Sequence, residues 1–100
     1  MVAYVVAKIH VTDPVTYKKY ADRAPEFVER HGGRYLTRGG AVITAEGEQF
    51  SGRMVILEFP DRSRAEAWLK DPGYVEVSAF RQAASVGQFL IQEGEAPHKP

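Results

Sequence analysis

Six side chains in this sequence pair a charged, proton-carrying or aromatic group with a position where water would be partly excluded. Arg38 stands directly before the pair Gly39-Gly40. An arginine at such an irregularity could clamp a carboxylate or enolate through two parallel N–H donors. The simpler alternative is an ion pair with an acidic residue that fixes the irregularity. Glu58 sits in Arg53-Met54-Val55-Ile56-Leu57-Glu58-Phe59, a run otherwise apolar apart from Arg53. A carboxylate held away from water binds its proton more tightly and can serve as general base. Its alternative is an ion pair with Lys8 or with a second copy of the chain. His10 is the other candidate for moving a proton, since imidazole titrates near neutrality; otherwise it is a hydrogen-bonded residue at a strand rim. Tyr20 and Trp68, with Tyr17 and Tyr74, carry apolar rings whose polar tips need partners when buried. They would contact the ring of a small planar molecule, or fill a core. Arg81 would add positive charge to such a pocket, or face solvent in a salt bridge.

The composition restricts the rest of the chemistry. There are no cysteines among the 100 residues, so disulfides, thiolate metal sites and a cysteine nucleophile are excluded. No two histidines stand at metal-ligand spacing, and no cofactor is expected. His31 closes a helix, where a positive charge meets the negative end of the macrodipole. Formal net charge is zero, which argues against binding nucleic acid through phosphates and against a polybasic membrane patch. Phosphate-loop, dinucleotide, nucleophile-elbow and zincin motifs do not occur. The apolar run 2–7 ends at Lys8, too short for a signal-peptide core or a membrane span, and a cytoplasmic protein is expected.

Elements able to position these residues follow from periodicity. Residues 2–11 read as a strand with a uniformly apolar face, Ala3, Val5, Ala7, Ile9 and Val11, and a mixed face, Tyr4, Val6, Lys8 and His10. Asp13-Pro14 starts a helix whose stripe is Tyr17, Tyr20, Ala21, Ala24, Phe27, Val28 and His31, ending at Gly32-Gly33. Pro25 is expected to bend or break it. A strand over 34–37 is interrupted by Arg38-Gly39-Gly40, where paired glycines suggest a bulge or a close backbone approach. It resumes over 41–45, before a polar loop over 46–52. Arg53–Phe59 is the third strand, with Val55, Leu57 and Phe59 on one face. Ser63 with Glu66 fits a capping box, opening a helix with Ala65, Trp68 and Leu69 inward. Asp71-Pro72 restarts the helix, which runs to about Ala84 with Tyr74, Val77, Phe80 and Ala84 as its stripe. Residues 86–93 form the last strand.

The order strand, helix, strand, strand, broken helix, strand predicts an α+β fold of ferredoxin-like β-α-β-β-α-β type. Its antiparallel four-stranded sheet has the spatial order 4-1-3-2 and helices on one face. The opposite face carries Tyr4, Val6, Met54, Ile56 and Leu90, too apolar to remain wet, so a homodimer through this sheet face is expected. RNA binding on that face is disfavoured, because the third strand lacks the base-stacking aromatics of RNA-recognition sheets.

Several segments taken together resemble a known family: Val11-Thr12-Asp13-Pro14 with Tyr17 and Tyr20; Gly32-Gly33-Arg34-Tyr35-Leu36 leading to Arg38-Gly39-Gly40; Glu58-Phe59-Pro60; Ala67-Trp68; Asp71-Pro72-Gly73-Tyr74; and Phe80-Arg81. The chain is similar over about 2–94 to the domain of unknown function 1330 family, within the dimeric α+β-barrel superfamily. The resemblance implies the ferredoxin-like protomer and the sheet-to-sheet dimer, and no activity. The family pattern carries glutamate where this chain has Gly73.

The expectation is therefore one domain over 1–94 followed by a disordered tail over 95–100. It would bind a small polar or aromatic metabolite between sheet and helices, with cofactor-free catalysis as an extension. Arg38, Arg81, Tyr20 and Trp68 would bind, and Glu58 or His10 would move a proton. The alternative is a structural or protein-interaction dimer module without catalysis.

Overall fold

The structure is a computed structural model that describes residues 1–95. In chain order the elements are β1 (Ala3–Val11), α1 (Pro14–Arg30), β2 (Arg34–Arg38), β3 (Arg53–Phe59), α2 (Arg62–Lys70), α3 (Pro72–Ala84) and β4 (Ser85–Glu93). The strands form one antiparallel sheet in the order β2-β3-β1-β4, and the helices cover one face. This is the ferredoxin-like α+β arrangement with its second helix divided in two. Ala3, Val5, Ala7 and Ile9 of β1 are buried beneath the helices, beside Val55, Leu57 and Phe59 of β3.

Each helix begins where its sequence supplies an acceptor for free backbone N–H groups. The Asp13 carboxylate accepts from the Thr16 N–H at 3.2 Å before Pro14. Asp71 does the same for Gly73 at 2.8 Å and Tyr74 at 3.4 Å before Pro72. For α2 the capping residue is Asp61, which accepts from the Arg64 N–H at 2.8 Å. The expected Ser63–Glu66 box does not form; Glu66 instead pairs with Arg62 at 2.5 Å. Aspartate wins because it stands one residue before the helix, where its oxygen meets the third N–H.

The end of α1 is a Schellman turn. Gly33 N–H donates to the Val28 carbonyl and Gly32 N–H to Glu29, each at 2.9 Å. Gly32 has φ +78°, a left-handed conformation that a side chain would strain. His31 closes the helix and its Nε2 lies 2.7 Å from Asp71, which also meets Arg30 at 3.3 Å. The C-terminus of α1 is thereby tied to the cap of α3. The His31 hydrogen bond holds the Asp71 carboxyl down to about 2, against the opposing effect of burial.

Two local expectations change. Pro25 does not break α1, which runs unbroken from Pro14 to Arg30. The Ala21 carbonyl loses its helical donor at proline, and Arg38 on β2 supplies one through Nη2. The segment 41–45 is not a strand. Its β-branched pattern is real, but no strand among the described residues offers it a ladder, and Ile43 remains 87% exposed. The expected tail over 95–100 lies outside the described residues except for Glu95.

Candidate functional site

A small cavity lies between the sheet and α1. It encloses about 20 Å³, room for one or two water-sized groups. Tyr17, Tyr20 and Ala21 form its roof; Tyr35, Arg38, Arg53 and Trp68 are its other polar-tipped walls. Tyr17, Ala21 and Arg53 also line an open groove of about 580 Å³, flanked by His10 and Lys18. The groove therefore adjoins the cavity.

Arg38 reaches this space because of a bulge. Along β2, Tyr35 pairs with Leu57 but Thr37 pairs with Ile56, so Leu36 is an extra residue in the ladder. Strict alternation would place Arg38 with Arg34 on the open side of the sheet. The shift by one turns Arg38 to the helix side, where its guanidinium lies 4.8 Å from the Tyr35 ring centroid and bonds the Ala21 carbonyl. Gly39, with φ +82°, is a close-approach site: a Cβ there would meet Arg53 Nη1 at 2.4 Å. Gly39 thus makes space for a second guanidinium, which lies 5.9 Å from the Tyr17 ring centroid, whereas a Cβ at Gly40 would meet nothing within 4 Å.

The aromatic wall is continuous. Tyr17 and Tyr20 have centroids 5.6 Å apart, Tyr20 and Tyr74 6.1 Å, and Trp68 lies 4.6 Å from Tyr74 and 5.3 Å from Phe59. The hydroxyls of Tyr20 and Tyr74 share a hydrogen bond of 2.8 Å. Arg81 stacks its guanidinium 4.3 Å from Phe89 and 5.6 Å from Tyr20. Burial pushes the phenols of Tyr20 and Tyr74 up. It also raises Tyr17 and Tyr35, where the cations Arg53 and Arg38 offset part of the effect. The phenols therefore stay neutral at physiological pH and act as hydrogen-bonding groups, not bases.

Arg53 Nε, Trp68 Nε1 and Arg81 Nε are buried with no hydrogen-bond partner among the described residues. Trp68 is 1% exposed. No carboxylate lines the cavity, and the ion pairs among the described residues leave out Arg38, Arg53 and Arg81.

Of the six candidate residues, the structure brings four together. Arg38, Tyr20 and Trp68 line the cavity, and Arg81 packs on two of its rings. Arg38 makes no ion pair among the described residues, because the bulge delivers it to a helix carbonyl. Arg81 is half-buried and does not form the expected surface salt bridge. Glu58 is elsewhere: it lies on the open face of the sheet, on the far side of β3 from the helices. It does not pair with Lys8, since the register sets Lys8 opposite Met54 and Glu58 opposite Tyr4. Its partner is Arg34 of β2, at 3.0 Å. His10 is exposed, at the groove and outside the cavity. Arg53 and Tyr35 were not singled out. The signal for Arg53 was its parity with Val55, Leu57 and Phe59, a charge on the buried face of its strand. Tyr35 carried no signal without the register.

Among the described residues no cluster of three or more His, Cys, Asp or Glu could hold a metal ion, and no helix is long and apolar enough to cross a membrane.

Several solved structures share this fold. A protein of unknown function from Rhodopseudomonas palustris, RPA0582, superposes with TM-score 0.79 at 19% identity, covering 96% of this chain and 84% of that one. SnoaB, a cofactor-independent oxygenase from Streptomyces nogalater, superposes with TM-score 0.64 at 15% identity, covering 96% of this chain and 95% of that one. A candidate antibiotic biosynthesis monooxygenase from Nitrosomonas europaea gives 0.63 at 15% identity, covering 94% and 98%. At these identities the likeness is one of fold alone. No functionally curated protein matches the chain by sequence. The profile of one family, the domain of unknown function DUF1330, matches residues 2–95, and the chain belongs to that family.

Proposed function

We propose that the protein is a homodimeric small-molecule-binding protein that takes a small planar metabolite between the sheet and α1. The observation that carries this reading is the cavity itself. It joins an open groove, is walled by aromatic rings, and is bordered by buried N–H donors that no group among the described residues satisfies. Buried donors left unpaired are costly in a finished core, and a bound ligand would satisfy them. In this reading Tyr20 and Trp68 contact the ligand's ring, Arg38 and Arg81 bind its polar end, and Arg53 and Tyr35 join them. His10 is the proton-carrying side chain at the groove, and Glu58 has no part.

The fold shared with a cofactor-independent oxygenase makes cofactor-free turnover a natural extension. The cavity lining contains neither carboxylate nor imidazole, so a substrate turned over there would have to ionise without a base inside the cavity.

The homodimer forms through the open face of the sheet, where Tyr4, Val6, Met54 and Ile56 are half-buried and Leu90 is 44% exposed. Burying such a face against a second copy removes it from water. Light scattering of the native protein and of Ile56→Asp tests this: the native mass should be two chains and the variant's one. A native mass of one chain overturns the dimer.

Ligand binding is tested by thermal shift and calorimetry with small aromatic metabolites, on the native protein and on Ala21→Leu. Ala21 lies in the wall shared by cavity and groove, and leucine suits a helix nearly as well as alanine. The variant should fold and fail to bind. Binding undiminished by the blockade refutes the site.

A further inference from the structure

We infer that the ligand of this site is an anion, with a carboxylate-sized head in the cavity and a flat apolar body in the groove. The inference rests on the small-molecule reading above and adds the chemical class. Three guanidinium groups surround one aromatic cluster: Arg53 beside Tyr17, Arg81 beside Tyr20 and Phe89, and Arg38 beside Tyr35. The protein as a whole is electrically balanced, yet no carboxylate lines this space and none of the three arginines is ion-paired among the described residues. Arg53 and Arg81 are half-buried while Arg38 is exposed at the edge. Charges held partly away from water without a counter-charge are unfavourable, so the two half-buried guanidiniums favour a negative guest.

The donors match a carboxylate in number and kind. Nε of Arg53 and the indole N–H of Trp68, both on cavity-lining residues, are buried and unpartnered. The third such donor, Nε of Arg81, belongs to the guanidinium packed on Tyr20 and Phe89 and is not part of the lining. All three only donate, and Arg38 adds donors at the rim, where the Lys18 ammonium is already paired with Asp22 at 2.8 Å. The neutral phenols of Tyr17 and Tyr20 complete a lining with no obligatory acceptor other than backbone. A neutral amide would bring its own donors to a site already rich in them and would leave the positive field uncompensated.

Size sets the division of the ligand. About 20 Å³ accommodates the two oxygens of a carboxylate and no ring. The adjoining groove, about 580 Å³ with Tyr17, Pro14 and Val11 in its walls, has room for a ring. A ligand arriving already ionised also removes the need for a base in the cavity.

The test uses matched pairs of probes that differ only in charge: benzoate with benzamide, and salicylate with salicylamide. Binding is read by calorimetry and by the indole N–H resonance of Trp68, the chain's single tryptophan. The acids should bind at least tenfold tighter than the amides and move the indole resonance downfield. They should weaken with added salt and lose at least tenfold on Arg53→Gln. Amides binding as well as acids, both blocked by Ala21→Leu, would overturn the anion reading and leave the pocket standing. Acids binding without moving the indole resonance, or equally well to Arg53→Gln, would overturn it by placing the anion elsewhere. Failure of every probe to bind would remove the pocket itself and the inference with it.

Discussion

Replacing Arg38 by methionine, in the native chain and in one carrying Pro25→Ala, tests whether this arginine repairs a helix. Pro25 removes the N–H that would meet the Ala21 carbonyl inside α1, and the Arg38 guanidinium donates there instead. A hydrogen bond from a charged donor contributes about 1.5–3 kcal/mol when well buried. Arg38 is exposed and Ala21 half-buried, so water recovers part of this and about 1 kcal/mol is the expected share. The stacking of Arg38 on Tyr35 adds about 0.5–1 kcal/mol. Arg38→Met should thus cost about 1.5–2 kcal/mol in the native chain. With alanine at 25, the helix bonds its own carbonyl, and only the stacking loss of about 0.5–1 kcal/mol should remain. The coupling of about 1 kcal/mol corresponds to a difference of roughly 0.5–1 M in urea midpoint. The assay is urea denaturation followed by Trp68 fluorescence at one fixed protein concentration, since the apparent stability of the proposed dimer would depend on concentration. Equal cost of Arg38→Met in both backgrounds would refute the repair. It would leave Arg38 with its stacking on Tyr35 and the ligand contact proposed for it.

Gly73→Ala should destabilise although alanine favours helices. A Cβ at this position would lie 2.4 Å from Cε1 of buried Phe27, so overpacking of about 1–3 kcal/mol outweighs a propensity gain of about 1 kcal/mol; a variant as stable as native in urea would contradict this. Tyr74→Phe should cost about 1–2 kcal/mol by leaving the buried Tyr20 hydroxyl alone. Tyr20→Phe should cost less, because Arg81 still hydrogen-bonds Tyr74, and the double variant should cost less than the sum. Strict additivity would mean that the two hydroxyls do not depend on each other. Asp71 is held down to about 2 from 3.8, chiefly by the His31 hydrogen bond. A depressed carboxylate stabilises fully above its unfolded value and loses that contribution as pH falls through its folded one. The native protein should therefore lose stability between about pH 4 and pH 2, and Asp71→Asn should flatten that stretch. Identical acid slopes would assign the loss to other carboxylates.

Element order, the inward stripes and two of the three helix starts were legible in the chain, because each depends on residues within a few positions of one another. Alternation on 2–11 and on Arg53–Phe59 identifies the buried faces without any knowledge of partners. Asp13-Pro14 and Asp71-Pro72 announce helices because a cap and its N–H lie within one turn. Asp61 was overlooked for Ser63, since both stand within reach and only the backbone path decides between them. The site was less legible. That Arg38 faces inward depends on a bulge at Leu36, and a shift of one residue in a ladder moves a side chain through the sheet. The partner of Glu58 is Arg34 instead of Lys8 because register, which no local pattern specifies, set Lys8 four residues away. Pro25 reads as a helix breaker until a guanidinium from another element meets the freed carbonyl. The residues 41–45 carry a strand's pattern with no strand among the described residues beside them, because a ladder needs two chains' worth of backbone groups and propensity describes one. Local chemistry determined which elements form; which side chains converge on the cavity was decided by pairing across the sheet, where contacts join residues far apart in sequence.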